Sequence, residues 1–275
     1  MTKPQIALII TSVIFVVLIF QLPKVIIKND KQLKSSTQTA QNSSESAPVA
    51  PDEHTKSVNK EDLEKIEVLR KNYYSFSNKE KKLKFADSIS RLYLKAMVFD
   101  SAAKFSAEVA ALDPKPETWE KAGDAYNQAA IVAGDAEKAD FSAKSRSFYE
   151  KILENNPKSY DVKAKMAMTY VGGPEPMKGI TMLREILKDS PDNQVAIFDL
   201  GILSLQSGQH EKAISRFNDL LKINPNHTAG LIYMGIAQYE MGKRSEAKQY
   251  FVKAKMLNTD PVFASTIDSY LKELK

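Results

Sequence analysis

Three histidines, 34 carboxylates, one glycine pair and one lysine run are the parts of this chain whose types could carry chemistry. His54, His210 and His227 are too far apart to present two imidazoles on one helical face, so a metal site built on them is not expected. The chain has no cysteine, which removes thiolate catalysis, disulfides and thiolate-held metals. The carboxylates stand among lysines at helical spacing, the pattern of solvated helix faces. Gly172-Gly173-Pro174 lacks the lysine and hydroxyl of a phosphate loop and reads as a turn between helices. Lys79-Glu80-Lys81-Lys82-Leu83-Lys84 reads as a charged solvent face. The formal net charge of +5 is too small for the dense basic stripe of a nucleic-acid binder. The expectation is a non-enzyme with no catalytic residue, no cofactor, no metal and no nucleic-acid partner.

The elements that would position these residues follow a period. From Gln194 the chain runs through Ile197, Leu200, Gly201, Ser204, Ala213, Phe217 and Pro225. Thirty-four residues on stand Leu231, Met234, Gly235, Gln238, Ala247 and Phe251, with the proline displaced to Pro261. The same step backward takes Pro225 to Pro191 and Pro157. A fixed period of this length marks stacked supersecondary units. Helices approach closely only where one presents Gly or Ala, large apolar residues fill the space beside them, and proline ends each second helix.

This pattern resembles the tetratricopeptide repeat. A unit from Tyr160 carries Met166, Ala167, Tyr170, Gly179 and Leu183. One from Leu83 carries Ile89, Tyr93 and Ala102, with Ser106 where a large residue is usual. One from Pro116 carries Trp119, Ala122, Gly123 and Tyr126. Counted back from Pro157, that unit carries Ile152, Tyr149 and Ser145, out of register by ten residues. The surplus is expected in a loop at 131–140.

The expected fold is therefore all-α: a right-handed α-solenoid of about five helix-turn-helix units (83–115, 116–159, 160–193, 194–227, 228–261). A leading helix at 58–82, introduced by Asn59 and followed by a Ser77/Glu80 capping box, precedes them. A capping helix at 262–275, with Phe263, Ile267, Tyr270 and Leu271 on one face, closes them. The repeat-packing residues are Gly123, Gly201, Ala213, Phe217, Gly235, Ala247 and Phe251.

Upstream, residues 5–23 carry no charge and suffice to span a bilayer as one helix after a tail at 1–4. No small-residue cleavage site follows, so this reads as a retained anchor rather than a signal peptide. Residues 24–57, rich in Ser, Thr, Gln and Asn beyond Lys34, read as a disordered tether. Lys24, Lys28, Lys31 and Lys34 against Lys3 favour a cytoplasmic repeat domain, whereas the very short tail resembles a bacterial signal anchor and favours an extracytoplasmic one. Both sides stay open.

The resemblance implies a protein-interaction scaffold, with a peptide or partner helix held in the inner groove. Helical phase places Met168, Val171, Phe198, Ile202, Leu205, Ile232, Ile236 and Tyr239 on that face as an apolar distal half. Asp87, Arg91 and Leu94, then Glu120, Asp124 and Asn127, form a mainly polar proximal half. The clamp residues by which some relatives hold chaperone carboxyl termini are absent. The leading expectation is a membrane-tethered adaptor in cell-envelope assembly, with the bilayer contacted through 5–23. The alternatives are a structural or self-oligomerising module, and an adaptor facing the cytoplasm.

Overall fold

The computed structural model describes residues 59–258 and 260–274 of the protein. The described residues belong to one compact unit, Ser57–Lys275. Their regular structure is entirely α-helical. The helices are α1 Lys60–Ser75, α2 Lys79–Lys95, α3 Phe99–Leu112, α4 Pro116–Val132, α5 Asp135–Asn155 and α6 Tyr160–Val171. They continue with α7 Pro176–Asp189, α8 Gln194–Gln206, α9 His210–Ile223, α10 Thr228–Glu240, α11 Arg244–Leu257 and α12 Pro261–Glu273.

Local chemistry sets these ends. Asn59, Asn78, Asn193 and Asp260 accept backbone N–H bonds at the starts of α1, α2, α8 and α12. His227 does the same for α10 through Nδ1, 2.9 Å from Gly230 N. Proline opens α4, α7 and α12, where its missing N–H costs nothing. Gly208 and Gly242 take positive φ in the α8–α9 and α10–α11 turns, and Met97 takes the same conformation between α2 and α3.

Every helix packs on its neighbour in sequence, and α4, α6, α8 and α10 also touch in succession. The interior is accordingly a series of local clusters. Ile66, Ile89, Tyr93 and Val109 join α1 to α3, and Leu183, Ile186 and Leu200 join α7 to α8. Phe217, Leu220 and Met234 join α9 to α10. At the end, Phe263 and Ile267 of α12 are buried and Tyr270 stacks on Phe251, ring centroids 4.9 Å apart.

Three sequence expectations are corrected. The surplus at 131–140 is not a loop: only Ala133 and Gly134 lie outside helix, because the extra residues lengthen α4 and α5. The stretch is alanine-rich, and Asp135 and Glu137 favour a helix start. The leading helix ends at Ser75, and the boundary expected at 82/83 falls inside α2. The α2 cap is Asn78, not Ser77.

No helix among the described residues is long and apolar enough to cross a membrane. The tail 1–4, the span 5–23, the tether 24–57 and His54 lie outside the described residues.

Candidate functional site

The first helices of the pairs meet because the crossings within each pair are tight. A Cβ on Gly201 would stand 2.5 Å from the Phe217 ring, one on Gly235 would stand 2.8 Å from Phe251, and one on Gly123 would stand 2.6 Å from Tyr149. Ala213, Ala247, Phe217 and Phe251 are fully buried beside them. In α6–α7 the roles exchange: Gly179 lies against the Ala167 carbonyl. In α2–α3 two small hydroxyls stand in for the glycine–aromatic pair, with Ser90 Oγ 2.7 Å from Ser106 Oγ.

These crossings bring α4, α6, α8 and α10 into contact in succession, and one residue of α6 reaches two of α4. Lys165 of α6 reaches Glu120 and Asp124 of α4, each at 2.7 Å. Asp124 also accepts from Tyr149 Oη at 2.7 Å. Burial and the adjacent Asp124 carboxylate raise the Tyr149 pKa, so its hydroxyl stays a donor. For Lys165, burial lowers the pKa, but the two carboxylates outweigh it and the net shift is upward.

Thirty-four residues later Asp199 occupies the place of Lys165, and the places of Glu120 and Asp124 fall to Ala164 and Met168. Among the described residues Asp199 has no hydrogen-bond or ion-pair partner, although it is partly buried. Burial alone pushes its carboxyl up to about 7. One unit further, Tyr233 holds the place and meets Phe198 edge-on, ring centroids 5.4 Å apart.

Of the eight groove residues one is buried and seven are partly buried. Ile236 is buried at 2% exposure. Phe198 sits among Phe217, His227 and Tyr233, with ring centroids 5.3–6.1 Å away. Ile202 and Leu205 pack on the same core, and Met168 packs on the cluster around Leu183 and Leu200. Val171 Cγ2 lies beside Gly179, and Ile232 and Tyr239 are partly buried. The cause is the close succession of α6, α8 and α10: each first helix is covered by the next, so side chains phased toward the inner face become part of the seam. At the proximal end Asp87 and Arg91 pair with each other, and Asn127 is partly buried.

Periodicity within single helices missed Lys165 and Asp199. The signal that finds them is the sixth position of each unit set against the fifth and ninth of the unit before. It gives Lys165 over Glu120 and Asp124, Asp199 over Ala164 and Met168, and Tyr233 over Phe198 and Ile202. Among the described residues no group of three or more potential metal ligands converges.

Packed helix pairs repeating every 34 residues, with their first helices in succession, define a helical-repeat protein. Residues 178–231 match the model of the tetratricopeptide repeat family, described as "Tetratricopeptide repeat", which supports that family for this stretch of α7 to α10. Against curated proteins the chain has no match. Among solved structures it is similar to MamA, at 21% identity and a TM-score of 0.41, over 65% of this chain and 92% of that one. It is also similar to MamA 41-end from Desulfovibrio magneticus RS-1, at 18% identity and a TM-score of 0.41, over 64% and 94%. A third is YrrB, titled a TPR protein with an unusual peptide-binding site, at 17% identity and a TM-score of 0.40, over 74% and 99%.

Proposed function

We propose that the protein is a non-catalytic interaction scaffold, held at a membrane by residues 5–23, whose α8 face receives a partner segment carrying a cationic or N–H donor group. Asp199 carries this reading. An unpaired, partly buried carboxylate costs stability, and such a cost is retained where another molecule supplies the missing charge. The partly exposed rings of Phe198 and Tyr233, which meet edge-on beside it, give that partner an apolar wall. The anchor, a role in assembling a cell-envelope complex, and an extracytoplasmic repeat domain complete the proposal, on the sequence grounds given above.

Asp199→Asn tests it. At pH 8 the variant is expected to melt above the wild type, and at pH 4 with it. A partner captured stoichiometrically by residues 57–275 is expected to be lost. Lower stability at both pH values, or unchanged capture, sinks the reading. Self-association is the second reading, favoured by exposed Val252, Met256, Leu257 and Val262 on α11 and α12, with Met256 at 77% exposure. A concentration-dependent dimer in sedimentation, abolished by Met256→Lys, supports it.

A further inference from the structure

The turn between α1 and α2 holds the densest positive charge among the described residues. Residues 70–84 contain Arg70, Lys71, Lys79, Lys81, Lys82 and Lys84 against the single acid Glu80. Elsewhere lysines form ion pairs with nearby acids, such as Lys65 with Glu61, Lys95 with Asp62, Lys115 with Asp113, Lys144 with Asp140 and Lys255 with Asp268. Lys71, Lys79, Lys81, Lys82 and Lys84 have no ion-pair partner among the described residues. Only Lys81 and Lys82 find a local contact, over the rings of Phe76 and Tyr73 at 4.6 and 4.7 Å.

Two further facts set this turn apart. Its aromatic residues Tyr74 and Phe76 are exposed, at 66% and 38%. Lys79, Lys81 and Lys82 also occupy the first turn of α2, where positive charge opposes the helix dipole. A local rule is broken in the same fifteen residues that expose two rings, and within the unit only Glu80 and the two ring contacts offset it.

We propose that the α1–α2 turn docks on an anionic lipid surface, with the five lysines against headgroup phosphates and carboxylates and Tyr74 and Phe76 at the interface. Lysines clustered beside exposed aromatic rings are the chemistry such a surface binds. The turn is less suited to nucleic acid. Its one guanidinium, Arg70, is turned to Tyr93 Oη. Phe76 already stacks on Phe85, centroids 5.7 Å apart, and carries Lys81 over its ring, so no open platform remains for a base. The proposal does not depend on residues 5–23 or on Asp199, and its test leaves that segment out.

Residues 57–275, a compact unit with its own core, are sedimented with vesicles of phosphatidylcholine alone or with about a third phosphatidylserine. Binding is expected only to the anionic vesicles and is expected to weaken as salt rises. Lys79→Glu/Lys81→Glu/Lys82→Glu is expected to reduce it on the order of 100-fold, with circular dichroism unchanged, since acids suit that helix end. Tyr74→Ser/Phe76→Ser is expected to reduce it several-fold at a fixed salt. Equal binding to both vesicles, none to either, or unchanged binding by the triple variant overturns the proposal. So does tighter binding to a single-stranded oligonucleotide at the same salt, lost in that variant, which would assign the turn to nucleic acid.

Discussion

Lys165 and Asp199 stand at the same place in successive helix pairs, and their surroundings give them opposite fates. Lys165 closes a network of Glu120, Asp124 and Tyr149. For Asp199 the preceding first helix carries alanine and methionine at the positions where the earlier one carries two carboxylates. A repeat fixes where a side chain points, and the unit before it fixes what that side chain meets. The α4–α6 junction thus carries its own charge network. The distal pairs hold an aromatic cluster beside a carboxylate that lacks a partner, and that is where a second molecule has something to add.

The largest expected effect lies in the distal aromatic cluster. Phe217→Ala removes a fully buried ring that fills the space over Gly201 and is expected to cost about 3–5 kcal/mol in urea unfolding of residues 57–275. Tyr149→Phe, which deletes one hydroxyl of the proximal network and keeps the ring over Gly123, is expected to cost about 1 kcal/mol. If the two variants cost the same, the division into an apolar and a polar seam fails.

Met168→Lys sharpens the comparison by giving Asp199 a counterpart of the proximal ion pair. Its carboxyl is then expected to fall from about 7 toward the ordinary carboxylate range, followed by NMR titration of the side-chain carbons. An unmoved titration would mean that the two helix junctions are not equivalent.

The smallest effect is the pH dependence of the α10 cap. His227 accepts from Gly230 N through Nδ1, which it can do only while that nitrogen is unprotonated, and burial lowers its pKa below 6.5. A depressed folded-state value stabilises the fold above the unfolded-state value and loses that contribution as pH falls below it. Between pH 7 and pH 5 the wild type is expected to lose about 1 kcal/mol at this cap. His227→Asn, which caps without titrating over that range, is expected to lose less. Asp199 has the opposite sign: its folded value lies above the unfolded 3.8, so its contribution is full below that value and is lost as pH rises through about 7. The measurement is therefore made in an Asp199→Asn background.

Much of the architecture was legible from spacing alone. Gly201 with Phe217 and Gly235 with Phe251 recur because a tight helix crossing allows few residue types, and a fixed period exposes such a constraint directly. The surplus at 131–140 was harder. Its count was readable, but alanine-rich sequence suits a lengthened helix as well as its solvent-exposed neighbours do, and only packing of α4 on α5 decided it. The candidate face was the least legible. Helical phase put Phe198, Ile202 and Ile236 on an inner face, yet phase is a property of one helix and burial depends on the helix beside it. The sequence by itself determined the helix pairs, their turns and their crossings, because those obey local and periodic constraints. Only the tertiary structure decided that Ile236 is buried, that Phe198 and Ile202 are partly buried, and that Asp199 has no partner among the described residues, because that outcome depends on which side chains of one unit stand against which of the next.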